Sequence, residues 1–435
     1  MTNDHDTWLG HRVDIDETHS PDQAQAAARH WLDRNLPRAW REAADAGGIV
    51  ALRTVRPRPA YEAWYPTFAD SGMAVAMWPR AYGGLGINGT LARAIEDVLA
   101  PYHLGRLNIL GINLAGTTLL EWGTEEQRAR FLPPIVRNEQ KWCQLFSEPG
   151  AGSDLPSLAC RAEPDPADPT TWRVTGQKVW STWAHEADMG MLLARTSPHL
   201  PKREGITYFA IDLHQPGVEV RALRQINGDV EFNEVFLDGA TLPDADRIGP
   251  VDGGWKVART TLSGERQMIS GAGSGAGVDN LGGRSIERLI ARARSSDTDG
   301  EAVNAPWNDP LVRQRLMVLW SQKQTLNWTN LRARANRKAN RGFGPESSVG
   351  KLLQTRHNVA LQEAWIDVVG LRSLAHEPTD DDSHRLGFGF LRSRANTIEG
   401  GTTEVQKNTI GEQVLGLPRE PDPWQGRPWA EVPRT

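Results

Sequence analysis

The sequence predicts an α+β protein in three parts: an N-terminal helical domain, a middle antiparallel β domain and a C-terminal four-helix bundle. Three observations predict it. Apolar residues recur at three-and-four spacing from Ala24 to Gln140, the period drops to two between Trp142 and about Asp246, and helical spacing returns after Gly253-Gly254-Trp255 and runs to Leu415. At 435 residues the chain exceeds what one simple core fills, so a division into domains is expected. The boundaries expected are 1–141, 142–247 and 248–417, with a proline-rich tail at 418–435 that should lie on the surface or move freely.

The helical segments of the first part are Ala24–Asn35, Thr90–Ala100, Gly111–Glu121 and Glu125–Leu132, set between Gly and Pro stops. In the middle part Trp172-Arg173-Val174, Met189–Ala194, Ile206–Leu213, Val218–Leu223 and Val230–Leu237 alternate or are rich in β-formers, with Gly, Asp and Pro between them. The long helices of the last part are interrupted once, at Ser295–Pro310, where Ser, Asp, Gly and Pro accumulate. Packed together they are expected to form a four-helix bundle. No repeat of fixed period is present.

Composition excludes several classes. A net charge of −5 gives no general attraction to nucleic acid or to an anionic membrane. No run reaches the ~18–20 apolar residues that a membrane helix needs, and the start Met-Thr-Asn-Asp-His-Asp lacks a basic-then-apolar secretory pattern, so a soluble, cytoplasmic protein is expected. Cys143 and Cys160 cannot build a disulfide framework, have no zinc-ligand spacing around them, and read as reduced and structural. Arg332, Arg334, Arg337, Lys338 and Arg341 lie within ten residues, but no aromatics alternate with them for base stacking, so they read as the solvated side of a helix. His185, beside Glu186, reads as a local hydrogen-bonding residue. The 17 tryptophans against 5 tyrosines carry no functional reading.

Two runs carry the chemistry. In Cys143-Gln144-Leu145-Phe146-Ser147-Glu148-Pro149-Gly150-Ala151-Gly152-Ser153-Asp154 a hydroxyl-bearing strand end opens into a turn whose glycines let backbone N–H groups approach a ligand. In Gly176-Gln177-Lys178-Val179-Trp180-Ser181-Thr182 strand alternation would set an indole and a hydroxyl on one face, suited to stacking on and donating to a planar isoalloxazine. Either run alone reads as an ordinary turn or strand; the pair, in this order, outlines a flavin site.

With these runs, and with Trp78-Pro79-Arg80-Ala81-Tyr82-Gly83-Gly84, Gly123-Thr124-Glu125-Glu126-Gln127, Leu262-Ser263-Gly264-Glu265-Arg266 and Gly401-Thr402-Thr403-Glu404-Val405-Gln406-Lys407, the chain resembles the acyl-CoA dehydrogenase family from about Trp78 to Arg419. The resemblance implies an acyl-CoA dehydrogenase-like fold that holds FAD between the β domain and the bundle. It implies oxidation of an acyl-CoA thioester to the trans-2-enoyl thioester, with electrons passing to an electron-transfer flavoprotein or a similar acceptor. It also implies subunits paired into a homodimer, homotetramer or heterotetramer. Carried over by position, Gln144, Leu145, Phe146, Ser147, Gly150 and Gly152 would line the flavin, Trp180, Ser181 and Thr182 would flank its ring, and Thr402 and Thr403 would approach FAD. Ser153 would touch the acyl-CoA and Arg266 its CoA portion.

The base stays open between two carboxylates. The commonest family pattern sets Glu directly before Gly-Thr; here that place is Gly400, with Glu399 one residue earlier, and a one-residue slip turns a side chain by ~100° on a helix. A second family pattern, Leu-x-x-Glu-Arg, supplies the carboxylate from the preceding helix and puts Glu265 first. Two further departures concern a neighbour's cofactor. The family's Arg-x-x-Phe pair is replaced in Leu311-Val312-Arg313-Gln314-Arg315-Leu316, and Asp367 stands where relatives have Gln, so Asp367 is expected either to point elsewhere or to mark a different adenine site. A partner subunit that lacks base or FAD, and a flavin enzyme of the same fold with different chemistry, are the alternative functions.

Overall fold

A computed structural model describes residues 11–269, 285–295, 305–338, 346–374 and 381–433. The first domain is built from α1 (Pro21–Asn35), α2 (Arg38–Val55), α3 (Arg58–Asp70), α4 (Gly89–Leu99), α5 (Thr117–Trp122) and α6 (Glu125–Val136). Reciprocal capping boxes, Ser20 with Gln23 and Thr124 with Gln127, start α1 and α6 by satisfying donors a helix leaves open. The segment expected as one helix over Gly111–Glu121 divides into a π-helical turn, Gly111–Gly116, and then α5. Several tryptophans find their place here: Trp31, Trp40 and Trp64 pack with Tyr61, Tyr65 and Phe68, Trp64 lying stacked on Phe68 at 6.1 Å.

The middle domain holds one sheet of β1 (Trp142–Leu145), β2 (Arg161–Asp165), β3 (Asp168–Lys178), β4 (Met189–Arg195), β5 (Ile206–Asp212), β6 (Val218–Leu223) and β7 (Phe232–Pro243), in the order β1-β4-β2-β3-β7-β6 with β5 also on β4. It is mostly antiparallel. The exceptions are both on β4: β1 runs parallel to it from Trp142 opposite Met189 to Leu145 opposite Leu192, and β2 meets it in the same sense at Arg161 opposite Arg195. β4 has neighbours on both edges and is buried throughout, as its Met-Gly-Met-Leu-Leu-Ala run requires. The strand expected to stop at Leu237 continues to Pro243: Asp238-Gly239, a turn signal in sequence, is instead a bulge, with Gly239 at φ 65° facing the register shift between Val174 and Thr175.

The last part comprises α7 (Gly254–Ile269), α8 (Ile286–Arg294), α9 (Pro310–Lys338), α10 (Glu346–Val369), α11 (Asp381–Ala395) and α12 (Thr403–Gln413). α10 packs on α9, α11 and α12, while α7 touches α5, the π turn, β5 and α10, so it is the element common to all three parts. One side of α10 is both buried and polar, carrying Ser348, Lys351, Thr355, Asn358 and Gln362. The tail lies on the surface as far as Arg427 and is docked beyond it. Trp429 is only 7% exposed, and its amide N–H and that of Ala430 donate to the carbonyls of Leu200 and Pro198 at 2.8 and 3.0 Å. Among the described residues no helix is long and apolar enough to cross a membrane.

Candidate active site

The two runs singled out in the sequence meet. The Val179 N–H donates to the Ser147 carbonyl at 2.9 Å, and the wholly buried Lys178 ammonium donates to Glu148 Oε1 at 2.7 Å and to the Phe146 carbonyl at 3.1 Å. Glu148 also accepts from the N–H groups of Ala159 and Cys160 at 2.7 and 2.9 Å. A buried charge is tolerated only when paired and hydrogen-bonded, and here both conditions hold. Glu148 and Ala151 exchange backbone hydrogen bonds at 3.1 and 3.0 Å, closing the turn. Gly150 and Gly152 stand exposed at its rim, with no atom within 4 Å of where a Cβ would sit, so the backbone there is open to a ligand. Leu145 and Phe146 are buried in the cores, Phe146 edge-on to Tyr208 at 5.8 Å, which leaves only their backbones to face a cofactor.

The strand-face argument for Trp180 and Thr182 does not hold. β3 ends at Lys178, and Trp180 and Trp183 both have left-handed backbones, φ 60° and 53°, so the segment is a turn in which alternation no longer applies. Asn233 braces it: its carbonyl accepts from the Ser181 N–H and its amide donates to the Ser181 carbonyl, each at 3.0 Å, while the Trp183 N–H donates to the Glu231 carbonyl at 2.7 Å. Ser181 is itself wholly buried and its hydroxyl has no partner among the described residues. Trp180, by contrast, is 60% exposed and edge-on to Phe232 at 5.8 Å, and Thr182 is half-buried. The turn therefore leaves the Trp180 indole at the surface with Thr182 half-buried beside it, by a different backbone route from the one expected.

Across from these runs lies α7. The Gln144 amide donates to Glu265 Oε2 at 3.2 Å, which sets that carboxylate against the end of β1. Gly264 lets α7 come this close, since a Cβ there would stand 2.7 Å from the Asn113 carbonyl of the π turn. Lys351 of α10 lies near both carboxylates: burial pulls its ammonium below the usual lysine range, and Glu399 and Glu265 oppose that pull. Lys351 donates to the Asn396 carbonyl at 2.5 Å.

Glu399 is fully engaged in other work. Its two oxygens accept from Asn396 at 2.7 Å and from Arg392 at 2.8 Å, and Arg392 also pairs with Glu231 of the β domain at 3.6 Å. Burial disfavours the Arg392 charge, but these carboxylates outweigh it and raise the guanidinium above its ordinary value. Gly400 and Gly401 follow with φ 61° and 93°, a left-handed pair that glycine alone takes without strain. Thr402 then caps α12, its hydroxyl accepting from the Val405 N–H at 3.2 Å, and the Thr403 N–H donates to the Thr397 carbonyl at 3.0 Å.

Ser153 is exposed, beside Asp154, which pairs with Lys202 at 2.8 Å; the Arg266 side chain falls outside the described residues. Asp367 points to α9, where it pairs with Arg315, so the two departures from the family pattern satisfy each other. His185 is a local hydrogen-bonding residue, with Nδ1 3.0 Å from the Asn233 amide oxygen. Of the basic cluster, Arg332 is exposed, and the side chains of Arg334, Arg337, Lys338 and Arg341 lie outside the described residues. Sequence reasoning missed Lys178, Glu148, Asn233 and the Glu231–Arg392 pair. Lys178 alone left a signal, a charge in phase with the inward Val174 on β3; the others depend on contacts between distant segments.

A helical domain, a sheet and a helical bundle in this order, with a carboxylate of the first bundle helix set against the glycine-rich strand end, are the architecture of a flavoprotein dehydrogenase. Models of the acyl-CoA dehydrogenase N-terminal, middle and C-terminal domains match residues 18–139, 143–239 and 252–415. The acyl-CoA dehydrogenase IpdE1 of Mycobacterium tuberculosis is 36% identical over 92% of this chain and 98% of its own length. FadE34 of the same organism is 38% identical over 81% of this chain but only 45% of its own length. Among solved structures, the ChsE4-ChsE5 complex from Mycobacterium tuberculosis is 23% identical, with a TM-score of 0.70 over 93% of this chain and all of that one. The chain belongs to the acyl-CoA dehydrogenase family, whose members are flavoproteins, and is an oxidoreductase of that class.

Proposed function

We propose that the chain binds FAD and oxidises an acyl-CoA thioester to the trans-2-enoyl thioester, with Glu265 as the base. The observation that carries this reading is the Gln144–Glu265 hydrogen bond, which brings the carboxylate of α7 to the strand end that opens the flavin run. The open lip at Gly150 and Gly152 and the exposed Trp180 indole suit a planar cofactor. Ser147, the lip backbone, Trp180, Thr182, Thr402 and Thr403 would hold the group, with Gln144 at its edge. FAD supplies a hydride acceptor for Cβ when bound. Glu265, half-buried on α7, takes the Cα proton onto a carboxylate oxygen as the Cα–H bond breaks. Glu399, held by Arg392 and Asn396, serves to lock the turn after α11 to the β domain. Electrons leave to an electron-transfer flavoprotein or similar acceptor, and we place the protein in the cytoplasm.

The deciding experiment is anaerobic titration of the purified chain with a panel of acyl-CoA thioesters. Bound flavin that bleaches supports the reading; bound flavin that no thioester bleaches overturns it. A second reading makes the chain one subunit of a mixed assembly. Its support is the match to a chain of the ChsE4-ChsE5 complex and the fact that FadE34 extends to about twice the matched length. Purification without flavin, and flavin uptake only after mixing with a related subunit, would favour it.

A further inference from the structure

The loop after Ser153 is gripped from both sides by groups that the proposed chemistry does not use. The carbonyls of Pro156, Ser157 and Leu158 are consecutive, and each accepts from a side chain. Arg195 Nη2 donates to Pro156 at 2.6 Å and to Leu158 at 3.4 Å, and Trp429 Nε1 donates to Ser157 at 3.3 Å. The Arg195 guanidinium lies over the Trp429 ring at 4.8 Å, with Arg195 2% and Trp429 7% exposed. A β-bridge between Pro201 and Pro428, with the backbone bonds from Trp429 and Ala430, fixes the tail beside the strand end that bears Arg195. At the near end of the loop, Lys202 and the Ser157 hydroxyl both hold Asp154, at 2.8 and 2.5 Å. A tail of eleven exposed residues, 417–427, thus ends in an indole that closes on the loop carrying Ser153.

We propose that Trp429 is a positioning residue for acyl-CoA binding: the C-terminal tail clasps the 154–158 loop through Arg195 and thereby sets Ser153 at the substrate mouth. This inference rests on the acyl-CoA reading above. Residues 417–427 contribute no buried residue to a core, and an exposed strap ending in a buried donor is the arrangement of a clasp rather than of a core element. Loss of Trp429 loosens Ser153 and leaves Glu265, which is on α7, and the glycine turn before Ser153, which its own Glu148–Ala151 backbone bonds close, in place.

The test uses the full-length protein and three forms: wild type, Trp429→Phe, which keeps the ring over Arg195 without the N–H, and Trp429→Ala, which removes both. Hydrogen exchange of the 154–160 amides reads the clasp; calorimetric binding of octanoyl-CoA and KM read its effect; flavin absorbance and kcat serve as controls. In Trp429→Ala the loop exchanges faster and Kd and KM rise about tenfold, the size expected when one hydrogen bond and one cation–π contact are lost. Trp429→Phe falls between, and kcat and flavin content stay at wild-type values. Unchanged exchange overturns the clasp. Faster exchange with unchanged Kd overturns its role toward substrate, and a parallel fall of flavin content and kcat shows general destabilisation instead. A wild type that takes up neither flavin nor octanoyl-CoA overturns the acyl-CoA reading itself, and the substrate role of Trp429 with it.

Discussion

Gln144 and Glu265 are joined at 3.2 Å across the boundary between sheet and bundle, 121 residues apart in sequence. This bond is the support for proposing Glu265, rather than Glu399, as the base. A neutral amide holds Glu265, whereas Glu399 accepts from the Arg392 guanidinium and from Asn396, and the Lys351 ammonium lies near both carboxylates. Both Glu399 oxygens are occupied by these donors, so neither is open to a Cα proton.

Glu265→Gln is therefore expected to keep flavin and to lose bleaching by acyl-CoA, with a fall in rate of about a hundredfold or more, the range for removal of a positioned general base. Glu399→Gln is expected to bleach and to melt at a lower temperature, because Arg392 loses its hydrogen-bonded carboxylate and keeps only the longer-range attraction of Glu231 and Asp229. Stopped-flow reduction and a thermal scan of each variant measure both effects. Loss of bleaching only in Glu399→Gln would reverse the assignment.

Lys178 and Glu148 make the second strong expectation. Removing one member of a buried pair leaves the other charged and dry, so Lys178→Met should cost about 3–5 kcal/mol. Adding Glu148→Gln to Lys178→Met should recover part of that loss, since the two groups share one interaction. Urea denaturation of the two singles and the double gives the coupling directly. Additive losses would show that the pair is not what ties the flavin run to β3.

The order of helices, sheet and helices was legible because burial leaves a period in the chain, and that the two runs proposed to face a flavin lie together was suggested by the glycines and the tryptophan that mark them. The placement of Trp180 and Thr182 was not. Strand alternation assumes that β3 continues, and it stops two residues before Trp180, where Asn233 and Glu231, more than fifty positions along, bend the chain. The parallel β1–β4 pairing and the docked Trp429 were equally out of reach, for each depends on contacts between segments far apart in sequence. Asp367 looked like an obstacle to a cofactor because its partner, Arg315, lies 52 positions earlier.

The cysteines give a pH-dependent test. Burial, the largest cause, pushes the Cys160 thiol up to about 11 from its ordinary 9.0, and burial moves Cys143 in the same direction. The folded protein keeps the Cys160 proton where the unfolded chain has lost it. This contribution to stability is therefore complete below pH 9 and lost between about 9 and 11. Native protein at pH 8 should resist iodoacetamide at both thiols and react at both once unfolded in urea, which mass spectrometry of the alkylated chain reads. Rapid labelling of the native form would show that these strands open.

Two glycine substitutions separate a packing requirement from a ligand requirement. In Gly264→Ala the new methyl would stand 2.7 Å from the Asn113 carbonyl, so α7 must withdraw from the π turn and carry Glu265 with it. Overpacking of this kind costs about 1–3 kcal/mol, and the expected result is lower stability together with slower bleaching. Gly150→Ala meets nothing within 4 Å in the protein, and its backbone is not in the left-handed region, so the flavin-free chain should melt at the wild-type temperature. If the lip receives a cofactor, however, the methyl occupies space that the ligand needs. Flavin affinity should then fall while stability without flavin holds, a split that equilibrium dialysis and a thermal scan resolve. Unchanged flavin affinity in Gly150→Ala would move the cofactor away from the lip.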